Sequence, residues 1–347
     1  AATIDALRGD AIGARLDHEL GARSNLDSGT VRGPRRITHV LSGNLPGLSF
    51  APISLSLALK SAVLVKSAAG DPFSPTAFAA TIAAVDPELG RCIVVHDWRG
   101  GDAELESVAF AADVVVAAGS DAAIEAIAAR TQTRFFGHGH KISFALVGRE
   151  ALADATAVAA RLAFDVALWD QHGCLSPQIC FVENDGAGSV DEFAQTLAAA
   201  LERAGVELPP RRLGFADKAA IAVFRQQAQW QASTPADRLL AAPDTGWTIA
   251  VEHAPSFRPT CLNRCIRVVA IDDAASVASL IAPHRRHLEC AGLACATARH
   301  AALATMLLAA GVHRVCALGT MQTPTLDWQQ GGRPRVRDWL EWDGADG

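Results

Sequence analysis

The stretch DVVVAAGSDAAIEAIAAR, residues 113–130, changes character at its middle. Residues 113–118 form a β-branched, almost uninterrupted apolar run. Gly119-Ser120 is a turn, and DAAIEAIAAR then carries Ala, Ile and Glu at helical spacing. A strand that runs through a Gly-Ser turn straight into a helix is half of a βαβ unit. A strand apolar along its whole length belongs in a parallel sheet covered on both faces. The same alternation repeats toward the N-terminus. ITHVLSGN (37–44) reads as a strand ending in a Gly-Asn turn, with a helix over about 52–60. AVLVKS (62–67) is a strand bounded by the GDP turn at 70–72, with a helix over 74–86. RCIVVHDW (91–98) is a strand closed by Gly100 and Gly101, followed by a short helix over 104–110. Beyond residue 130, RFFGHGHK and SFALVG carry the strand pattern to about residue 148. The class predicted is α/β, and such a sheet binds ligands at the carboxyl ends of its strands.

The second half is less regular. An Ala-rich helix is expected over 151–165, a strand at ICFVEN (179–184), and an amphipathic helix over 190–204. GVELPPRR (205–212) reads as a break. IRVVAID (266–272) is a strand with a helix near 274–281. A helix over 296–311 ends at Gly311, before the strand VHRVCAL (312–318). The boundary is placed near residue 148, giving segments 1–148 and 149–330 with a tail at 331–347.

Composition narrows the class. Half of the 347 residues are hydrophobic, only 6% are aromatic, and there is no tyrosine, so the core is aliphatic. A charged fraction of 20% and a formal net charge of −6 exclude a disordered chain and leave no global basic field. Neither nucleic acid nor an anionic membrane is an expected partner. No apolar run reaches the ~18 residues of a membrane span. The eight cysteines are irregularly spaced in a long chain with no visible signal peptide, which points to free thiols in a reducing cytoplasm.

Three kinds of feature bear on chemistry. Cys174 lies in DQHGCLSPQ (170–178), directly after a glycine and between a helix and a strand. A thiol so placed is either an exposed nucleophile, with turn N–H groups near a developing oxyanion, or a small buried thiol in a loop. His172 stands beside it, as an aid to its ionisation or as an ordinary loop histidine. Metal sites do not assemble. Cys261 and Cys265 lack a second pair, His284, His287 and Cys290 share at most a helix face, and His138 and His140 share at most a strand face. Glycine turns close three strands of the first half, at Gly43-Asn44, Gly100-Gly101 and Gly119-Ser120. They suit a nucleotide crevice without matching GxGxxG or a P-loop.

Taken in order, SGNLPGLSF (42–50), LVKSAAGDPFSP (64–75), DVVVAAGSDAAI (113–124), DQHGCLSPQ (170–178) and GVHRVCALGTMQTPTLDW (311–328) resemble the aldehyde dehydrogenase superfamily. The closest resemblance is to its acyl-CoA and acyl-protein reductase branch, the LuxC type of bacterial luminescence operons, over about residues 37–343. The resemblance implies a Rossmann-type parallel-sheet domain that binds NADP(H) at 1–148 and a second α/β domain at 149–330 bearing the catalytic cysteine. It assigns Cys174 as nucleophile and Asn44 as a side-chain donor to the oxyanion. Lys66 and Ser67 match the segment holding the adenosine ribose, and Gly101, Gly119 and Ser120 match the turns beside adenine and pyrophosphate. The residue contacting the nicotinamide ribose is left open, with Glu289 a candidate.

Two departures carry information. Aldehyde-oxidising relatives have a glutamate in an ELGGK segment that activates water. Here the segment is GHGHK, with Gly137 in that place. NAD-preferring relatives carry an acid just after the lysine, where this chain has Ala69, with Asp71 close by. The resemblance with these departures implies reduction of an acyl thioester to an aldehyde with NADPH, NADH being disfavoured, and without a metal. The implied partners are acyl-CoA or an acyl-protein synthetase that hands over the acyl group, and the implied state is a homo-oligomer. Aldehyde oxidation, a cysteine acyltransferase or thioesterase without nicotinamide, and a non-catalytic subunit are the alternatives. Against the family the chain is short ahead of the cysteine, so parts of the cofactor domain and an oligomerisation arm are expected to be reduced.

Overall fold

Five strands of the first half share one parallel sheet, in an order that differs from their order along the chain. The computed structural model describes residues 9–20, 29–184, 189–232, 234–325 and 328–344. Helix α1 (Gly9–Leu20) and strand β1 (Gly29–Arg32) come first. Then follow β2 (Arg36–Val40), α2 (Phe50–Ala58), β3 (Ala62–Lys66), α3 (Ser74–Val85), α4 (Pro87–Gly90) and β4 (Ile93–His96). The run continues with α5 (Ala103–Ala109), β5 (Val114–Ala118), α6 (Asp121–Ala128) and β6 (Arg134–His138). The sheet order is β4-β3-β2-β5-β6, all parallel. The chain winds outward from β2 to β4, returns to β5 on the other side of β2, and continues to β6. That reversal between β2 and β5 is a topological switch point, where loops diverge and leave a crevice at the carboxyl edge.

Local chemistry explains the elements. Ile37, Val63, Val65, Val114, Val115 and Ala117 are buried, as a sheet covered on both faces requires. Asp102 caps α5 by accepting from Leu105 N–H, and Ser120 caps α6 by accepting from Ala123 N–H. Gly43 and Gly70 approach so closely that a Cβ at Gly70 would stand 2.3 Å from the Gly43 carbonyl oxygen. Only glycine allows the loops after β2 and β3 to meet.

The C-terminal segment folds back on this sheet. Strand Glu341–Gly344 pairs antiparallel with β1. The Glu19 carboxylate accepts from the backbone N–H groups of Arg335, Val336 and Arg337. Trp339 packs 5.5 Å from the ring of His39, which is fully buried and hydrogen-bonded to Ser56 Oγ at 2.8 Å. Burial, with His138 nearby, pushes His39 down to about 3.

The second sheet has seven strands: β7 (Ile142–Val147), β8 (Pro177–Glu183), β9 (Arg238–Ala241), β10 (Thr248–Glu252), β11 (Cys265–Ile271), β12 (Leu288–Ala294) and β13 (Arg314–Ala317). Their order is β13-β12-β7-β8-β11-β10-β9, parallel except for β9. Helices α7 (Ala155–Ala167), α8 (Ser189–Glu207), α9 (Phe215–Trp230), α10 (Val277–Ile281) and α11 (Thr297–Ala309) belong to this half. Phe144, Leu146, Ile179, Phe181, Val269, Ile271 and Leu293 form its apolar centre.

Several expectations are corrected. The compact units are Ala1–His140 with Thr325–Gly347, and Lys141–Pro324. The division therefore falls at 140/141 instead of 148, and the residues set apart as a tail belong to the first unit. RFFGHGHK and SFALVG are both strands, β6 and β7, but they lie in different sheets, so the first sheet ends at β6. Cys290 lies on strand β12, so it shares no helix face with His284 and His287, and His140 falls beyond the end of β6. Helix α8 extends through Glu207, into the presumed break.

Candidate active site

Asn44, Lys66, Ser67, Gly101, Gly119 and Ser120, drawn from four separate segments, all follow or end strands on the carboxyl edge of the first sheet. Asn44 is exposed in the bend after β2, and Leu41 N–H donates to the Lys66 carbonyl oxygen at 3.1 Å, tying that loop to the end of β3. Lys66 Nζ stands 5.3 Å from the centroid of the Trp98 ring. Burial draws its ammonium below the usual lysine range, opposed by the carboxylates of Glu106 and Asp97. Ser67 is buried, and its N–H donates to the His96 carbonyl oxygen at 3.0 Å. Gly101 has φ +97 and open space where a Cβ would stand, and its N–H donates to Glu106 Oε1 at 2.8 Å. Gly119 N–H donates to the His138 carbonyl oxygen at 3.1 Å. The same edge therefore offers a cation, an aromatic face, an uncrowded glycine turn and the start of α6, a donor set suited to a nucleotide. Trp98 adds a buried Nε1 with no hydrogen-bond partner.

Asp71 bears on which nucleotide fits. Its carboxylate accepts from Gly47 N–H at 3.3 Å, Ser74 N–H at 3.0 Å and Ser74 Oγ at 2.6 Å. The one acid near Ala69 is thus engaged in joining the loop after β2 to the start of α3.

Cys174 lies in the second unit, half-buried, in the turn leading into β8. Ser176 N–H donates to the Gly173 carbonyl oxygen at 3.0 Å and closes the turn. Ser143 Oγ, on β7, donates to the Cys174 carbonyl oxygen at 2.7 Å and accepts from Cys290 N–H at 3.1 Å. Gln322 Nε2 reaches Ser176 Oγ at 2.9 Å. Asp165 holds the loop that carries Gln322, accepting from Gly319 N–H at 2.5 Å and Met321 N–H at 3.1 Å. Burial pushes its carboxyl up to about 7 even so.

The chain enters this turn through Trp169, Asp170 and Gln171, three successive left-handed residues with φ of 62, 49 and 63. None is glycine, so each stores strain. A second such run, Leu262, Asn263 and Arg264 (φ 62, 55 and 59), clasps the first. Asn263 N–H donates to the Asp170 carbonyl oxygen at 3.0 Å, and Arg264 Nε meets Asp170 Oδ1 at 2.6 Å. Sequence reading missed this clasp. CLNRC contains no glycine or proline to mark a left-handed run.

Among the other cysteines, burial pushes the Cys180 thiol up. Cys265 is held protonated by its hydrogen bond with Cys261 and by burial, and Cys290 in the same way with Cys316. Cys92 is exposed, just ahead of β4. No group of three or more His, Cys, Asp or Glu side chains among the described residues is arranged to hold a metal ion. None of the described helices is long and apolar enough to cross a membrane.

The family model described as Acyl-CoA reductase (LuxC) matches residues 1–333. The chain belongs to this family. The LuxC chain is 27% identical over 285 residues to the long-chain acyl-protein thioester reductase of Vibrio harveyi, covering 78% of this chain and 58% of that protein. Against long-chain acyl-protein thioester reductase 2 of Photobacterium leiognathi it is 27% identical over 245 residues, with 69% and 49% covered. This LuxC sequence thus spans about half the length of the curated relatives it matches. A solved indole-3-acetaldehyde dehydrogenase in complex with NAD+ superposes with a TM-score of 0.71 at 14% identity, covering 96% of this chain and 76% of that one. At that identity the likeness establishes the fold, which is that of the aldehyde dehydrogenases.

Two further positions singled out in the sequence have defined surroundings. Gly137 has no room for a side chain toward α6: a Cβ there would stand 2.5 Å from Ile124 Cγ2. Glu289, the candidate ribose contact, is fully buried on β12, 3.8 Å from Lys141 Nζ and 3.6 Å from His313 Nδ1.

Proposed function

We propose that this LuxC chain reduces an acyl thioester to the aldehyde through an acyl group carried on Cys174, with NADPH as reductant. The observation that carries the reading is the Cys174 turn: a half-buried thiol in a tight, braced loop, on a chain whose family is the acyl-CoA reductases. The curated relatives are named as acyl-protein thioester reductases, which favours a long-chain acyl group delivered by CoA or by an acyl-carrying protein.

The Cys174 thiolate attacks the carbonyl carbon of the acyl thioester. A C–S bond forms and the carbonyl oxygen takes the negative charge. The backbone N–H of Cys174 and, by the family resemblance, the Asn44 side-chain amide stabilise that oxygen, each donor worth about 3–4 kcal/mol of barrier. The oxyanion collapses, the carrier sulfur departs and takes up a proton, and the acyl group remains on Cys174. When bound, NADPH supplies a hydride to the acyl carbon. The resulting thiohemiacetal oxygen re-forms the carbonyl as the C–S bond to Cys174 breaks, releasing aldehyde and the thiolate. The net change is one acyl thioester, one NADPH and one proton giving one aldehyde, one free carrier thiol and NADP+.

Lys66, Ser67, Gly101, Gly119 and Ser120 are the residues proposed to hold the nucleotide. Preference for the 2′-phosphate is supported by Ala69 and by the engagement of Asp71 with Gly47 and Ser74, which leaves no free carboxylate in that loop to receive a ribose hydroxyl. Gly137 supports reduction over oxidation, since a glutamate base has no space at that position. The test is aldehyde formation from acyl-CoA with each nucleotide. NADPH-dependent aldehyde, absent in Cys174→Ala, is expected; acid formation from free aldehyde, or aldehyde formation by Cys174→Ala at the wild-type rate, would refute the proposal.

A further inference from the structure

Two of the eight cysteines meet across neighbouring strands. Cys290 Sγ, on β12, stands 3.8 Å from Cys316 Sγ, on β13. Cys290 is fully buried and Cys316 is half-exposed, so a small oxidant in solvent reaches one sulfur of the pair first. Arg314 Nη1 lies 3.5 Å from Cys290 Sγ. The same guanidinium donates to the Met321 carbonyl oxygen at 2.7 Å and to the Thr320 carbonyl oxygen at 3.0 Å. The hydrogen bond from Cys290 draws the Cys316 thiol below the usual cysteine range, with burial opposing and the Arg314 charge assisting. An accessible thiol of that kind, backed by a second thiol, suits a cysteine that is oxidised first and a cysteine that resolves it.

A bond between these sulfurs would pull on the sheet. Strands β12 and β13 are parallel, with Cys290 opposite Arg314 and Cys316 opposite Gly292. The two cysteines are thus offset along the strands, and their sulfurs approach on the diagonal. Closing from 3.8 Å to a bond of about 2.05 Å requires the backbone to follow. The pairing is irregular where that shift falls. Leu288 pairs with Ile142 and Ala291 with Phe144, so Glu289 and Cys290 together face Ser143, as in a bulge. There the Cys290 N–H donates to Ser143 Oγ at 3.1 Å. On its other side Ser143 pairs with Pro177 and Phe144 with Ile179, a second irregularity that leaves Gln178 extra on β8.

Both cysteines lie on segments that brace the Cys174 turn. From Cys290 the path runs through its N–H to Ser143 Oγ, which donates to the Cys174 carbonyl oxygen at 2.7 Å. From Cys316, β13 leads into the loop whose Thr320 and Met321 carbonyls hold Arg314 and whose Gln322 Nε2 reaches Ser176 Oγ at 2.9 Å. We infer that Cys290 and Cys316 close to a reversible disulfide when a peroxide oxidises them, and that closure loosens the turn carrying Cys174. Loss of turnover on oxidation follows only if Cys174 is the nucleophile, as proposed above. In the first step the Cys316 thiolate attacks one peroxide oxygen. The O–O bond breaks, and hydroxide leaves and takes up a proton. Cys290 then gives up its proton and attacks the Cys316 sulfenic acid. The S–S bond forms, the S–O bond breaks, and a second water leaves. Two thiols and one hydrogen peroxide give one disulfide and two waters, each sulfur losing one electron and the peroxide gaining two. A disulfide strained by the diagonal approach is readily reduced by a free dithiol, which makes the change reversible.

The test needs no acyl substrate or nucleotide. The folded chain is treated with hydrogen peroxide, freed of it with catalase, and divided. One portion is blocked with N-ethylmaleimide in denaturant and digested without reductant. Peptides joined through Cys290 and Cys316, separated by dithiothreitol, are expected from the wild type and not from Cys316→Ser. The other portion is followed by hydrogen exchange of the peptide covering 170–178. Exchange there is expected to quicken about tenfold in the oxidised wild type, to slow again with dithiothreitol, and to be unmoved by peroxide in Cys316→Ser. Cys316 oxidised to the sulfinic acid with Cys290 still a free thiol overturns the inference. So does a joined pair with exchange at 170–178 unchanged, or an equal quickening in Cys316→Ser. If Cys316→Ser fails to fold, the wild type before and after dithiothreitol decides alone. Failure of acyl-CoA to label Cys174 in the reduced chain, with the disulfide and its exchange effect intact, would count against the proposed function alone.

Discussion

Replacing Arg264 by methionine should weaken the second unit and disable Cys174 at the same time. Arg264 is 3% exposed, and its guanidinium makes three bonds: to Asp170 Oδ1 at 2.6 Å, to the Leu208 carbonyl oxygen at 2.7 Å and to the Ala167 carbonyl oxygen at 3.3 Å. Methionine fills similar volume but leaves the Asp170 carboxylate, 8% exposed, without its guanidinium partner, though Arg211 N–H still donates to Oδ2. Breaking a buried ion pair from one side costs about 3–5 kcal/mol. For a unit of about 180 residues, the unfolding entropy is about 0.4 kcal/mol/K, so the midpoint should fall by about 8–12 °C. Thermal denaturation followed by circular dichroism measures this. The functional effect should exceed the stability effect. Without the clasp, the left-handed residues 169–171 relax, and acylation of Cys174 should drop sharply at 20 °C, where the fold is intact. The double variant Asp170→Leu/Arg264→Met removes both charges and should recover much of the stability without recovering acylation. An Arg264→Met melting point within 2 °C of wild type, or a double variant less stable than either single one, would refute the reasoning.

Three further outcomes follow from particular side chains. His39 is held neutral in the fold, its proton affinity lowered from 6.5 to about 3. The unfolded chain therefore binds the extra proton first. Stability is complete above about pH 6.5 and falls as pH drops from 6.5 toward 3, by about 2 kcal/mol at pH 5; urea titrations at pH 7 and pH 5 should show that loss, reduced in His39→Gln. Ala69→Glu should weaken NADPH binding while sparing NADH, as read by quenching of intrinsic fluorescence; unchanged NADPH affinity would contradict the placement of the 2′-phosphate. Gly137→Glu should destabilise the first unit by about 1–3 kcal/mol through contact with Ile124, and should create no aldehyde-oxidising activity.

Local signals made the first sheet legible and hid much of the second. Strands β2 to β5 are short apolar runs closed by Gly-Asn, Gly-Asp, Gly-Gly and Gly-Ser turns, and each turn follows its strand within a few residues. Cys174 was legible as a thiol after glycine, but only the order of five motifs separated it from a buried loop cysteine. Strand β12, LECAGLA, has none of the β-branched residues that mark a strand. Strands β9 and β10 are four and five residues long and are defined by pairing with distant partners. The clasp at 262–264 was invisible for a related reason. Its left-handed backbone is imposed by Asp170 and Ala167, more than 90 residues away in sequence. The return of the C-terminal segment depends on Glu19 meeting three consecutive backbone N–H groups, which no local pattern announces.

The central claim is that Cys174 carries the acyl group between thioester and aldehyde. Mass spectrometry of the chain after incubation with a long-chain acyl-CoA, before and after addition of NADPH, tests it most directly. One acyl mass on the peptide containing Cys174, discharged by NADPH with an equal amount of aldehyde, is the predicted result. An acyl mass on another residue, or one that persists on Cys174 when NADPH is added, would contradict the account.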